Sequence, residues 1–488
     1  MSLTSALNIA QTALKNTSRQ TTVVSRNIAD ASNPDYTRRT AVLSSSAPGA
    51  RVVDIQRAAN EELFRQNLSA LSSWEGQSAL LDGLESLKTS VNGVDNASSP
   101  AMLIGKLREA LDLYAATPSN RTLAENAAEA ARQVVRALNG ASESIQLFRT
   151  TADQDIAQSV DDLNTLLADF HDVNTKVVSG TRAGRDVLDL VDKREALLKQ
   201  ISEKLPVTTM TRADSDMVIM TRDGTMLFER TPRAVTFEPS TSYAPGGVGN
   251  AVYVDGVMLT GGSGGNTDAS GRLAGLIQLR DSVAPTMQSQ LDEIARGLIT
   301  AFAEVDKAGV QPNQTGLFTW SGAPAVPPAG TLVDGLAGSI KINAAFDSRQ
   351  GGNPELIRDG GANGPAYRWN TGTPPSASFS ELLIAIGDRL DTPTTFDPDA
   401  GNGTSATLGA YSTDSINWFE GMRRDASRAA DTKSAMAVYT AEALSNSTGV
   451  NIDNELSLML DLENSYQASA RMLKAVDDML SALFAAVR

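Results

Sequence analysis

Cysteine is absent from this chain. That excludes disulfides, thiolate nucleophiles, zinc–thiolate sites and iron–sulfur clusters together. Histidine occurs once, at His171. A multi-histidine metal site within one chain is therefore impossible, and a Ser-His machine has at most one base. Positive charge is scarce: 42 Lys+Arg against 57 Asp+Glu leave a net charge of −15. Such a chain is a poor partner for phosphate backbones and for anionic membrane surfaces. Aromatics make up 5%. Apolar runs such as Ala482 to Val487 fall far short of the ~20 residues that cross a bilayer. The opening residues, MSLTSALNIAQTALKNTSRQ, lack the basic start and unbroken apolar block of a secretory signal. No enzyme activity, cofactor or metal site is expected, and neither nucleic acid nor membrane is an expected partner.

What is present is length and periodicity. The 488 residues suffice for about three domains. Near the start, Leu3, Leu7, Ala10, Leu14, Thr17, Thr21, Val24 and Ile28 alternate in steps of four and three. That is a heptad seam. The last residues repeat it at Ile452, Leu456, Met459, Leu462, Tyr466, Ser469, Leu473, Val476, Leu480, Leu483 and Val487. A long helix with so few large apolar residues, two threonines among them, is marginal without packing partners. Both ends are therefore expected to fray in the free monomer and to order against each other and against neighbouring subunits.

The first seam ends at Asn27–Arg39, NIADASNPDYTRR. Asn33-Pro34-Asp35 reads as a turn, because proline forces the preceding residue out of the helical region. Thr37 to Ser44 should be extended. Helical patterns then fill 58–205, including separate segments from Thr122 towards Phe148 and from Ile156 to Val177. From Pro206 the period changes to two. Arg222-Asp223-Gly224 and Asp255-Gly256 read as hairpin turns. Gly261 to Gly271 reads as a flexible linker into a helix over 273–307. Between 309 and 378 lie mostly loops, with Ile340 to Phe346 a strand. Helices return over Ser380–Leu390 and Ile416–Leu444.

The Asn-Ile-Ala, Asn-Pro, Tyr and Arg of the opening segment resemble the N-terminal signature of the bacterial flagellar axial proteins, the rod, hook and hook-associated family. Asp35 stands where the usual signature has glycine. ENSYQASARMLKAVDDML, Glu463 to Leu480, resembles the family's closing helix. The stretches Asp54–Arg57, Leu107–Asn139, Asp186–Glu203 and Gly271–Asp281 resemble the junction-forming, hook-associated branch of that family.

The resemblance implies a structural subunit of the flagellum, exported by the flagellar type III apparatus. It would form the junction ring of about eleven copies between hook and filament. Hook protein, a second junction protein and the filament would be its neighbours. A cytoplasmic export chaperone would hold the closing helix at Tyr466, Leu473, Val476, Leu480 and Leu483. The subunit interface would use Leu3, Leu7, Leu14, Val24, Ile28, Asn33, Pro34, Tyr36, Leu456, Met459, Leu462, Tyr466, Leu473, Val476, Leu480 and Leu483. The final location would be extracellular, after a transient cytoplasmic stay. A hook or distal rod component, or a cytoplasmic coiled-coil scaffold, are the alternatives.

The expected fold is mainly α with β-rich insertions: paired terminal heptad helices, an elongated helical bundle and small outer β domains. The boundaries are 1–35 with 450–488 for the terminal coiled coil, and 36–205 with 271–308 and 400–449 for the bundle. A β-rich domain covers 206–270, and a loop-rich insertion with a short helix covers 309–399. Ser263 sits in a literal G-x-S-x-G, but no strand precedes it and the histidine lies upstream, so a glycine linker is the better reading. His171 reads as a surface or interface residue. The pairs Asp153–Asp155 and Asp161–Asp162 read as solvated helix faces. Asp214-x-Asp216 lacks the twelve-residue calcium loop.

Overall fold

The computed structural model describes residues 3–46, 49–93 and 98–486; Val487 of the closing seam lies outside them. Helix α1 (Leu3–Ala29) leads to a hairpin, β1 (Arg39–Ser46) and β2 (Gly49–Arg57). Helices α2 (Glu61–Leu87), α3 (Pro100–Ala116), α4 (Arg121–Arg182) and α5 (Leu188–Lys204) follow. Short strands come next: β3 (Val207–Thr211), β4 (Met217–Thr221), β5 (Met226–Phe228), β6 (Val235–Thr236), β7 (Tyr253–Val254) and β8 (Val257–Met258). Helices α6 (Arg272–Gln278) and α7 (Ala284–Ala301) flank one π-turn. Then come β9 (Phe318–Thr319), α8 (Leu336–Ser339), β10 (Lys341–Ile342), α9 (Leu356–Asp359), α10 (Glu381–Asp391), β11 (Thr394–Thr395) and β12 (Ser405–Ala406). The chain closes with α11 (Leu408–Thr448) and α12 (Ile452–Ala486). The fold is mainly helical with small β insertions, as the sequence indicated. Among the described residues no helix is long and apolar enough to cross a membrane.

The chain forms two compact units. The first comprises 1–74, 163–234 and 432–488; the second comprises 75–162 and 235–431. The first unit contains the terminal helices, the β1–β2 hairpin, α5 and the antiparallel sheet β3-β4-β5. The second holds a continuous apolar core built on α3, the first part of α4, α7 and α10.

Several sequence expectations change here. The two helices expected between 122 and 177 are one 62-residue helix, α4. Nothing between Phe148 and Ile156 breaks it. Thr150 and Thr151 instead return their hydroxyls to the carbonyls four residues back, at 3.0 and 3.1 Å. The strands between 206 and 262 form two sheets, β3-β4-β5 in the first unit and β6-β7-β8 in the second, where one β domain was drawn. Both expected turns are present, with Gly224 at φ 85° and the Asp255-Gly256 pair at 47° and 80°. Ile340–Phe346 is a two-residue strand followed by a 3-10 turn. Asp54–Arg57 lies in strand β2, opposite Val42 to Arg39. The 309–399 stretch is not peripheral to the second unit's core. It supplies Phe318, Leu336, Ile340, Phe346, Ile357 and Phe396. Proline and glycine content reveals loops but not what those loops bury.

The glycine-rich segment is likewise packed rather than loose. The Gln278 side chain donates to the Gly264 carbonyl at 2.7 Å, and that of Gln77 donates to the Gly265 carbonyl at 2.7 Å. A Cβ on Gly262 would lie 1.5 Å from Thr267 Oγ1. Ser263 therefore belongs to a fitted crossing, not a linker. Nearby, α2 meets α6 backbone to backbone: a Cβ on Gly275 would come within 2.4 Å of the Gly76 carbonyl oxygen. Gly275→Ala should cost about 1–3 kcal/mol, read as a lowered unfolding midpoint of the second unit; an unchanged midpoint would show that the contact yields freely.

Asp292 on α7 is buried and caps α8 from outside. It accepts the backbone N–H groups of Gly335 at 2.9 Å and Ala337 at 2.7 Å, and the Gln288 amide at 2.9 Å. Burial pushes its carboxyl up to about 7, against the pull of those donors. Between its ordinary 3.8 and about 7 the folded chain keeps a proton that the unfolded chain has released. This group's contribution is thus full at low pH and is lost as pH rises through that window. Relative to the parent, Asp292→Asn should gain about 2–3 kcal/mol between pH 5 and pH 8. Urea midpoints of the pair measured at both pH values check this, and a constant gap would refute it.

Candidate functional site

Helix α1 packs along α12. The polar residues of α1 explain why it holds its place despite a thin apolar seam. Asn16, mid-helix and buried, uses its amide as a surrogate strand: it donates to the Ala50 carbonyl and accepts the Val52 N–H at 3.1 Å. This docks the β1–β2 hairpin on α1. Thr17 and Thr21 return their hydroxyls to the carbonyls of Ala13 and Thr17, each at 2.9 Å. Their polar atoms are thereby satisfied within the seam.

The end of α1 meets the start of α12 through a buried polar cluster. The Asn27 side chain, 1% exposed, donates to the Arg39 carbonyl at 2.9 Å and to Glu455 Oε2 at 3.0 Å. Its Oδ1 accepts the Tyr36 hydroxyl at 2.9 Å and the Arg39 N–H at 3.1 Å. Glu455 is fully buried and takes Arg38 Nε on its other oxygen at 2.6 Å. Arg38 donates its backbone N–H to the Thr448 carbonyl at 2.8 Å. Burial pushes the Tyr36 phenol above its ordinary value.

A second layer comes from α5. Arg39 contacts Asp189 at 2.5 Å and Asp192 at 3.1 Å, and Arg26 reaches Asp189 at 2.5 Å. Burial pushes the Asp189 carboxyl up, but bonds from Arg26 and Arg39 outweigh it and hold it below its usual range. Arg57, at the end of β2, joins Asp192 at 2.7 Å and forks onto Glu195. The Asn33-Pro34-Asp35 turn is an Asx turn, with Asn33 Oδ1 accepting the Asp35 N–H at 3.1 Å. Among the described residues the non-glycine positive φ angles fall at Asp214, Ser215 and Asp255. Asp35 is not among them, so this turn does not require the glycine that the usual signature carries. Its carboxylate instead pairs with Lys199 at 3.1 Å.

The sixteen residues singled out from the sequence separate by burial. Val24, Tyr36, Leu462 and Val476 are buried; Leu3, Leu7, Leu14, Ile28, Met459, Leu473 and Leu480 are half-buried. Asn33 and Pro34 are exposed on the turn. Leu456, Tyr466 and Leu483 remain exposed, at 46%, 49% and 52%. At the start of α12 the inward position is Glu455 rather than Ile452 or Leu456. Apolar spacing cannot find a carboxylate at a seam position. Asn27, Arg38, Arg39, Arg57 and Asp192 did lie inside the stretches that carry the family resemblance, and that was their only signal.

The other candidate residues have structural partners. Asp153 is not solvated but fully buried, paired with Arg280 at 2.5 Å. His171 is half-buried with its ring 5.8 Å from that of Phe228. Asp214 pairs with Arg182 at 2.7 Å, and Asp216 accepts the Asn174 amide at 2.8 Å.

Known proteins match at the places this geometry stresses. Residues 87–318 match the family model for the flagellar hook-associated protein FlgK helical domain. Residues 442–485 match that for the flagellar basal body rod FlgEFG protein C-terminal segment. The flagellar hook-associated protein 1 of Bacillus subtilis (strain 168) is 21% identical over 397 residues, 74% of this chain and 72% of that protein. The Escherichia coli (strain K12) protein of that name is 25% identical over 340 residues, 63% of this chain and 57% of that one. The flagellar hook junction protein FlgK from Burkholderia pseudomallei shares the fold, with a TM-score of 0.56 at 11% identity over 78% of this chain and 99% of that one. The two family-model matches fall on the helical block and on the closing helix, the same stretches that resemble the flagellar axial proteins. The chain carries a match to the FlgK helical domain over 87–318 and is similar to the flagellar hook-associated protein 1 of both bacteria.

Proposed function

We propose that this chain is a junction subunit between hook and filament, built into a ring of about eleven copies by lateral packing of its terminal helices. The observation that carries this reading is the surface of α12. After pairing with α1, Leu456, Leu460, Tyr466, Met472, Met479, Leu483 and Phe484 all stay exposed. Apolar surface in that quantity marks an interaction face. In the ring, 1–35 and 450–488 form the inner tube. Hook protein lies on one side, the second junction protein and the filament on the other. Export through the type III apparatus requires the terminal pair to open.

The chaperone site proposed at Tyr466, Leu473, Val476, Leu480 and Leu483 then has a consequence. Val476 is buried, and Leu473 and Leu480 are half-buried. The chaperone therefore competes with α1 for one face of α12. Deleting 3–29 should raise chaperone affinity, by titration calorimetry; unchanged affinity would place the site elsewhere.

A Leu456→Lys, Leu460→Lys variant alters only exposed positions. It should fold as the parent does and lose incorporation into the flagellum, leaving complete hooks and shed flagellin. Normal filaments on such cells would contradict the proposal. The rod-type match over 442–485 keeps a hook or rod component as the second reading. Gold labelling of detached junctions separates the two.

A further inference from the structure

Helix α3 turns Ile104, Leu107, Leu111 and Tyr114 into the core of the second unit. Its opposite face is bare. Met102 is 52% exposed and Leu113 54% exposed, with Lys106 and Glu109 exposed between them. Among the described residues, neither the Lys106 ammonium nor the Glu109 carboxylate has a partner. The charges to one side of this face are spent, since Arg108 holds Asp112 at 3.4 Å and Asp391 at 3.0 Å. Helix α10 packs beside α3 and exposes Ile384, at 54%.

Met102, Lys106, Glu109 and Leu113 follow one another at steps of four, three and four. That is the spacing of a seam between two packed helices. Their order is apolar, cation, anion, apolar, so the seam is its own complement when turned end for end. A second copy of α3 laid antiparallel sets its Leu113 against Met102 and its Glu109 against Lys106, and the two-fold axis repeats both contacts. Laid parallel, the same seam would set lysine against lysine and glutamate against glutamate, which repel. One further residue fits only the paired state. Gly105 lies beside the seam, and a Cβ there would meet nothing within 4 Å. The isolated chain thus gives no reason for glycine inside this helix, where every residue but proline serves better. A second helix passing close to the seam supplies one.

We propose that the exposed face of α3 binds the same face of a second copy, antiparallel, with Met102 against Leu113 and Lys106 against Glu109 at both crossings. The contact is isologous and closes on itself, so it builds no ring. It is separate from the packing of the terminal helices and does not depend on the junction reading. A face of three helical turns is small, which makes the dimer weak and concentration-dependent. It offers free chains a closed pairing in place of open-ended association.

The test uses full-length chain carrying Leu456→Lys and Leu460→Lys, which weakens association through α12. Sedimentation velocity over a concentration series should show a monomer–dimer equilibrium. Lys106→Glu alone, or Glu109→Lys alone, should raise the dissociation constant at least tenfold, because each puts like charges together at both crossings. An equimolar mixture of those two variants should pair about as tightly as the parent, since opposite charges then meet again. The absence of cysteine allows a check of direction. A short bismaleimide should join a Met102→Cys chain to a Leu113→Cys chain in preference to a second Met102→Cys chain. A chain that stays monomeric throughout, a dimer indifferent to the charge changes, or two variants that do not pair when mixed overturns the proposal. Crosslinking of Leu113→Cys to a different protein in detached flagella overturns the choice of a second copy. None of these results bears on the junction reading, which stands or falls with incorporation into the flagellum.

Discussion

Replacing Glu455 by alanine is expected to cost the terminal helix pair about 2–4 kcal/mol. Glu455 is fully buried and is the acceptor for both Asn27 Nδ2 and Arg38 Nε. Truncation leaves the Asn27 amide one acceptor short in a dry site and removes the carboxylate facing a half-exposed guanidinium. A buried polar group left unmatched costs about 1–3 kcal/mol. The Arg38 share is smaller, because that side chain is 39% exposed and water can replace the lost partner. The effect should be local. Hydrogen exchange along 452–486 should accelerate at least tenfold, with the amides of the second unit unchanged. Glu455→Gln keeps one acceptor and should recover part of the loss. Uniform acceleration across both units, or none, would show that the cluster does not hold α12.

The second large effect is expected at Asp153. Its carboxylate accepts Arg280 Nη1 at 2.5 Å and the Ser240 N–H at 2.6 Å. Burial pulls the Arg280 guanidinium down, but bonds to Asp281 and Asp153 outweigh it and hold the group well above its usual value. Asp153→Ala leaves that cation, 1% exposed, with Asp281 as its one paired carboxylate and strands the Ser240 amide. Breaking a buried pair from one side costs about 3–5 kcal/mol. The Phe237–Asn250 segment is tied to the same cluster. Arg280 donates to the Asn250 carbonyl at 2.8 Å, and Arg149 donates to the Gly247 carbonyl at 2.6 Å. Protease cleavage within 237–250 should therefore appear in Asp153→Ala before the second unit unfolds. A double variant, Asp153→Leu with Arg280→Met, should be markedly less damaging than either single change. Equal damage would mean that the ion pair is not the source of the loss.

These two sites show where the sequence was readable. Periodicity located α1 and α12 because their apolar positions recur at heptad spacing, and it located the hairpin turns because Gly224 and Asp255-Gly256 occupy the backbone region they favour. It could not see that Asp153 turns inward, since a helical Asp between Ala152 and Gln154 looks the same whether water or Arg280 faces it. It split α4 because alanine and threonine between Phe148 and Ile156 carry no apolar signal. It read Gly261–Gly265 as slack because glycine marks both freedom and tight fit, and only Thr267, Gln278 and Met422 pressing on those positions decide between the two. For the candidate site, half of the contact was legible: the apolar seams, but not the carboxylate at Glu455 that fixes their register.

The placement of Glu455 also sets a direction for undoing the pair. Asn27 ends α1 and Glu455 begins α12, so the hydrogen-bonded clasp joins the two helices at one extremity, while Leu3 and Phe484 lie toward the other, far from that buried cluster. Separation should start at the unclasped tips and run toward the clasp, as a zipper opens from its free end. Any machine that threads the molecule from either tip would meet its most yielding part first and its firmest last.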